Sequence, residues 1–164
     1  MRRLTKFTYS NKLKFEWEQM TGTGWEVCAL TSIEQADPDL RKAYDRFKFV
    51  VRYVADIKGD LMEAIQNIAI NSISISRDKH TDERALKIRA EYYSQTAHNS
   101  IKLITPKLHE FLFDAPINGE PFSRLIDDLE RECFKYIDGC RAQQVLQFEM
   151  AAELAEAERT ETEK

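Results

Sequence analysis

Glycine and proline are scarce in this chain, which has 5 and 4 of them among 164 residues. Folds built only from β-strands need many turns, and these two residues shape most turns, so their scarcity favours helices. Long apolar runs are also missing, and no stretch of 18 apolar residues predicts a membrane span. No apolar segment follows the basic start at Met1, so a secretory signal peptide is not expected.

Cysteine is rare, and its spacing excludes two common uses. The chain has three cysteines, Cys28, Cys133 and Cys140, and no two of them form a C-x-x-C motif. An odd number without paired spacing argues against a disulfide framework and indicates free thiols in a cytoplasmic protein. Cys133 and Cys140 fall on an apolar helical stripe, so we expect both to be small core residues.

The charge is mildly acidic and unevenly distributed. The formal net charge of −4 argues against a general nucleic-acid-binding protein. Residues 1–58 nevertheless hold 11 basic and 8 acidic side chains, so the first third leaves room for a local basic patch.

Two kinds of periodicity predict the architecture. Leu13, Phe15 and Trp17 alternate with charged residues, which predicts a β-hairpin-like segment within residues 1–35. From residue 37 to about 150, apolar residues recur every three or four positions and predict helices. The predicted buried stripe of the first helix includes Leu61 and Ile65, and that of the second, over 81–111, includes Leu86 and Ala90. Helix starts are predicted at Asp37-Pro38-Asp39, at Thr81-Asp82-Glu83 and near Pro121.

These signals predict a mainly α fold, an antiparallel bundle of three long helices with a short N-terminal β-hairpin-like segment. We expect residues 1–150 to form this single domain and residues 151–164 to be an acidic, frayed tail. Three long helices make a thin rod with a limited core. A second copy that covers the open groove, and hence a homodimer, is therefore an alternative to a monomer.

No motif for catalysis is complete. Phosphotransfer would use His98, with Lys102 one helical turn away, but the spacing of neighbouring residues does not fit. Magnesium would use the acidic residues of the last helix, of which Asp128 and Glu132 share a face. A solvated charged face explains them better. We therefore predict no catalytic residue, cofactor or metal, and keep a small magnesium-dependent or phosphotransfer enzyme as the second alternative.

The main functional hypothesis is a non-enzymatic adaptor, inhibitor or regulator that binds another protein in a bacterial or viral cytoplasm. Large apolar residues gather in two places, and three consecutive ones at 111–113 cannot all face one helical core. The predicted partner-binding residues are Trp17, Trp25, Phe111 and Phe113.

The first alternative is a nucleic-acid-associated protein that uses the basic first third. Arg41, Lys48 and Arg52 share the helix face opposite the apolar stripe and form the predicted basic patch. Because Asp45 interrupts this patch and the whole chain is acidic, we expect nucleic acid to be an unlikely partner. Membrane association is not expected.

Overall fold

The fold is mainly antiparallel β, and the predicted bundle of three long helices is wrong. The computed structural model describes residues 1–113 and 116–139, and the predicted acidic tail lies outside them. Strands account for 42% of the described residues against 29% for helices, and seven strands form one sheet. The argument for a homodimer falls with the bundle, since it depended on an open groove between three long helices.

The elements follow one another as two groups of strands, each followed by helices. The first group is β1 (Arg2–Tyr9), β2 (Leu13–Thr21) and β3 (Gly24–Ser32), followed by α1 (Pro38–Asp45), α2 (Phe47–Val54) and α3 (Leu61–Gln66). The second group is β4 (Ile68–Arg77), β5 (Arg84–Ser94), β6 (Asn99–Ile104) and the short β7 (Leu108–His109), followed by a helix over residues 122–139, here α4. All strand pairs are antiparallel, in the order β3-β2-β1-β4-β5-β6, and β7 pairs with β5.

One face of the sheet carries the core. Phe7 pairs with Phe15 on one side and Ile73 on the other, and Ile73 pairs in turn with Ile88. All four are buried. The predicted N-terminal hairpin is present, because β1 and β2 pair across the turn at Ser10-Asn11. The helices cover this face, and its residues alternate with polar residues of the opposite face, which we call the open face.

Residues 81–111, predicted as a helix, form strands β5, β6 and β7. The predicted stripe used Leu86 and Ala90, which are four positions apart. A spacing of four lies on one face of a helix, but being even it also lies on one face of a strand. Ile88, buried between them, shows the period of two that decides for a strand. The predicted cap at Thr81-Asp82-Glu83 belongs to the turn between β4 and β5.

The long helix predicted from residue 37 is three short ones. Its start is confirmed: Asp37 caps α1, and its Oδ1 accepts a hydrogen bond of 2.8 Å from the amide of Leu40. The chain then turns at Asp56, with φ of 50°, and at Gly59, with φ of 105°, before Asp60 caps α3. A left-handed backbone at two nearby positions ends the helix, and glycine supplies the second of them without steric cost.

The last predicted helix is present as α4, which begins after Pro121. Its buried stripe faces the sheet and consists of Phe122, Leu125, Ile126, Leu129, Cys133 and Ile137. None of the helices in the described part of the chain is long and apolar enough to cross a membrane.

Candidate binding site on the helical face

Two depressions meet at Phe49 of α2 on the outer surface of the helical layer. The first, which we call the aromatic cleft, has a volume of about 380 Å³ and lies between α2, α3 and residues 112–113 and 116–118. The second, which we call the basic groove, has a volume of about 730 Å³ and lies between α1, α2 and α3. Phe49 lines both, so the two depressions form one surface.

Aromatic stacking builds the aromatic cleft. Phe113 packs edge-to-face against Tyr53, with ring centroids 5.7 Å apart, and against Phe122 of α4 at 5.0 Å. The next two residues toward the N-terminus are exposed: Phe111 leaves 72% of its surface in solvent and Leu112 leaves 53%. The prediction that residues 111–113 cannot all be buried is therefore confirmed, since Phe111 and Leu112 are exposed.

Cationic side chains surround the basic groove, whose floor is apolar. Arg41, Lys42 and Lys48 line it, together with the apolar side chains of Met62 and Ile65. Asp45 lies among the basic residues, as the sequence indicated, and its carboxylate is 3.0 Å from the Nζ of Lys48. This leaves the groove with a cationic excess above a hydrophobic floor.

Arg52 contributes a charge to the aromatic cleft rather than to the basic groove. Its Nη2 donates a hydrogen bond of 3.3 Å to the carbonyl of Gly59. Its Nε is buried and has no hydrogen-bond partner among residues 1–113 and 116–139. The three residues of the predicted basic patch, Arg41, Lys48 and Arg52, therefore lie on both sides of Phe49.

The two tryptophans lie away from this surface. Trp17 belongs to the core and is 1% exposed, so a partner cannot reach it in the folded protein. Trp25 lies in β3, whose solvent side is the open face, and the guanidinium of Arg3 stacks on its ring at 4.2 Å. Of the four predicted partner-binding residues, only Phe113 lines the aromatic cleft, and Phe111 is exposed two positions before it in the chain.

The residues considered for catalysis do not form a site. His98 lies in the turn between β5 and β6 with φ of 49°, and Lys102 lies in β6, so the helix that was to align them does not exist. In the described part of the chain, no group of three or more histidine, cysteine or acidic side chains is arranged to hold a metal ion.

The acidic residues of α4 are already paired with cations. Asp128 contacts Arg46 and Arg131, each at 2.7 Å, and Glu132 contacts Arg131 at 2.9 Å and Lys135 at 3.0 Å. Burial opposes ionisation of both, but hydrogen bonds from these partners hold the pKa of Asp128 and of Glu132 below the usual range. These carboxylates stabilise the fold, since their charge is already compensated.

Burial raises the pKa of the Cys133 thiol well above its ordinary value. A neutral buried thiol is a poor nucleophile, which agrees with the core role predicted for this residue. Cys28 is a free cysteine in β3, and Cys140 lies outside the described residues.

Sequence reasoning missed Phe49, Tyr53 and Lys42, and it assigned Leu61 and Ile65 to a buried stripe. In one continuous helix those two would continue the core face. The break at Gly59 changes the direction of α3, and Leu61 is therefore 40% exposed. Leu61 lines the aromatic cleft and Ile65 lines the basic groove. Gly59 was the available signal, since a glycine between two capped segments often ends a helix.

Comparison of the chain with protein-family models, with curated proteins and with solved structures gave no match.

Proposed function

We propose that this protein is a non-enzymatic binding module that captures an acidic, amphipathic helical segment of another protein. The observation that supports the proposal is the single surface around Phe49, where an exposed aromatic cleft adjoins a groove with basic walls and an apolar floor. The site of action proposed from the free cysteines is the cytoplasm.

Apolar contact would supply most of the affinity. Exposed aromatic and aliphatic side chains that gather in one patch favour a protein partner. Around Phe49 these are Tyr53, Leu61, Met62 and Leu112, each at least 40% exposed. An amphipathic helix presents a matching stripe of apolar side chains at intervals of three and four residues.

Charge would supply orientation and selectivity. Arg41, Lys42 and Lys48 lie on one side of Phe49 and Arg52 on the other, so acidic residues beside the apolar stripe would meet a cation in both depressions. A carboxylate could also pair with the guanidinium of Arg52, which lines the aromatic cleft. Such pairs at the rim raise association rates and exclude basic partners more than they add affinity.

Fluorescence anisotropy with designed peptides tests this function. The probe is a labelled helical peptide with a leucine face flanked by glutamates, and its control replaces the glutamates with lysines. We expect the acidic peptide to bind and the basic one not to bind. The variant Leu112→Ser removes an exposed apolar side chain that lines the aromatic cleft and should weaken binding about tenfold or more, in the range of a moderate hot spot.

Two matched variants control this experiment. Val27→Ser also removes an exposed apolar side chain, but from the open face, and should leave affinity unchanged. Arg41→Glu with Lys42→Glu should abolish binding of the acidic peptide, whereas Lys12→Glu in the β1–β2 turn should not. Equal affinity for both peptides, or loss of binding in the Val27 variant, would refute the proposed site.

A further inference from the structure

The open face of the sheet has an ordered cross-strand pattern. Because directly paired residues point to the same face, the strand registers define rows across the sheet. The first row, from β3 to β6, is Thr31, Lys14, Thr8, Ser72, Arg89 and Ile104. The second row, from β3 to β5, is Ala29, Glu16, Lys6, Ser74 and Lys87.

Small hydroxyl side chains occupy the centre of this face, where β1 and β4 meet. Thr8, Ser72 and Ser74 form a low floor, which we call the hydroxyl trough. Lys14 stands on one side in β2, and Arg89 stands on the other in β5. Three strand spacings separate those two side chains, or about 14 Å, which fits an extended polymer that lies along the strands.

Basic residues outnumber acidic ones on the open face. Its charged residues are Arg3, Lys6, Lys14, Lys87, Arg89 and Lys102 against Glu16, Glu18 and Glu91. Arg3 and Lys6 are already engaged, at 2.9 Å from Asp82 and 3.7 Å from Glu16. The other four cations have no carboxylate within 4.0 Å in the described part of the chain, so their charge is available to an anionic ligand.

A cavity with an aromatic wall lies at the Arg3 end of the same face. It has a volume of about 580 Å³. Its lining includes Trp25, the basic residues Arg3, Arg77 and Lys79, and the acidic residues Glu18, Asp78 and Asp82. The Trp25 ring is 38% exposed and stacks under the guanidinium of Arg3 at 4.2 Å. A flat ring beside cations is the arrangement on which an unpaired base stacks.

We propose that the open face binds single-stranded nucleic acid, with the phosphates between Lys14 and the Lys87–Arg89 side and a base on Trp25. The flanking cations favour a polyanion, and the half-buried hydroxyls of Thr8 and Ser74 can donate to base edges, whereas Ser72 is buried. Only a strand whose bases are unstacked can use Trp25, so a duplex should bind more weakly. This site faces away from the helical surface, so the two proposals can fail independently.

The test is fluorescence anisotropy with a labelled oligothymidylate of about 15 nucleotides, a length that covers the usual site sizes of single-strand binders. Binding should weaken as salt rises. In the double variant Lys87→Glu, Arg89→Glu it should fall at least tenfold, and the slope of log affinity against log salt should decrease by about 1.4, since two phosphate contacts are lost. Trp25→Leu should weaken binding without changing that slope.

The controls change the position of the substituted charge on the protein and the class of the competing ligand. Lys42→Glu changes an equally exposed charge on the helical face and should have no effect on oligothymidylate binding. Lys14→Glu, on the opposite wall of the trough, should weaken binding on its own and so replaces the double variant if that one fails to fold. Equal loss with Lys42→Glu, equal competition by polyglutamate, or preference for the duplex would overturn the proposal.

Discussion

Arg84 joins the sheet to α4 through its side chain. Its Nε donates to Glu110 at 2.9 Å, and its Nη1 donates to Asp127 at 2.5 Å and to Glu130 at 3.1 Å. Burial alone would lower the pKa of Arg84, but the hydrogen bonds that it donates to Glu110 and Asp127 raise it above the ordinary value. Because Arg84 is 11% and Glu110 8% exposed, each depends on the other for compensation.

Replacing Arg84 should therefore be costly. In Arg84→Met the aliphatic stem remains, but Glu110 is left buried without its cation, and the free energy of unfolding should fall by about 3–5 kcal/mol. Urea unfolding followed by circular dichroism measures this change. Lys58→Met breaks a fully exposed pair with Asp56 and should leave the midpoint unchanged. A similarly small effect in both variants would show that the buried network contributes little.

At the scale of the elements, sequence reasoning succeeded where local signals were unambiguous. The hairpin of β1 and β2 followed from strict alternation, and α1 and α4 began at the predicted caps and proline. It failed over 81–111, because apolar residues four apart satisfy both a helix and a strand. Pairing of β5 with β4 decided between them, and such long-range pairing cannot be read from local periodicity.

Because of the same ambiguity between helix and strand, the candidate site on the open face could not be predicted from the sequence. Residues Lys87 and Arg89 could be placed on a common face with Lys14 only once β5 was known to be a strand. Of the surface around Phe49, Phe113, Arg41, Lys48 and Arg52 were predicted individually, but not their junction at Phe49. That junction depends on the turn at Gly59, which brings α3 beside α2.

The ion pairs of α4 make the contribution of this helix to the free energy of unfolding dependent on pH. The pKa values of Asp128 and Glu132 are lowered in the folded chain, so both bind protons more weakly there than in the unfolded chain. Their stabilisation is complete above the unfolded pKa values of about 4, and it is lost as the pH falls below them. The free energy of unfolding should therefore decrease as the pH is lowered from 5 through about 3.

The double variant Asp128→Asn, Glu132→Gln removes both titrating groups. It should be less stable than the parent at pH 7, and its free energy of unfolding should depend less steeply on pH below about 5. Chemical denaturation at a series of pH values measures both quantities. An unchanged slope would mean that other carboxylates carry the acid sensitivity.

On the scale of the whole molecule, the helices join two halves of the sheet, one of three strands (β1 to β3) and one of four (β4 to β7). Within the sheet, the two halves are joined where β1 pairs with β4. This pairing involves only three residues of each strand, Lys6–Thr8 and Ser72–Ser74. The helix α4 spans both halves: its Tyr136 stacks on Phe15 of β2 at 5.2 Å, whereas its Asp127 pairs with Arg84 of β5. We infer that the halves unfold together, because this shared helical layer covers the core of both.

Ile73 tests this cooperativity, because it lies at the junction between Phe7 of the first half and Ile88 of the second. Ile73→Ala should lower the free energy of unfolding by about 2–5 kcal/mol, the usual range for a buried isoleucine. In a Trp25→Phe background, fluorescence reports Trp17 in the first half, whereas circular dichroism reports the whole backbone. The two transitions should coincide before and after the substitution. If the fluorescence transition stays in place while the circular dichroism transition moves, the halves unfold separately, and the helical layer does not couple them.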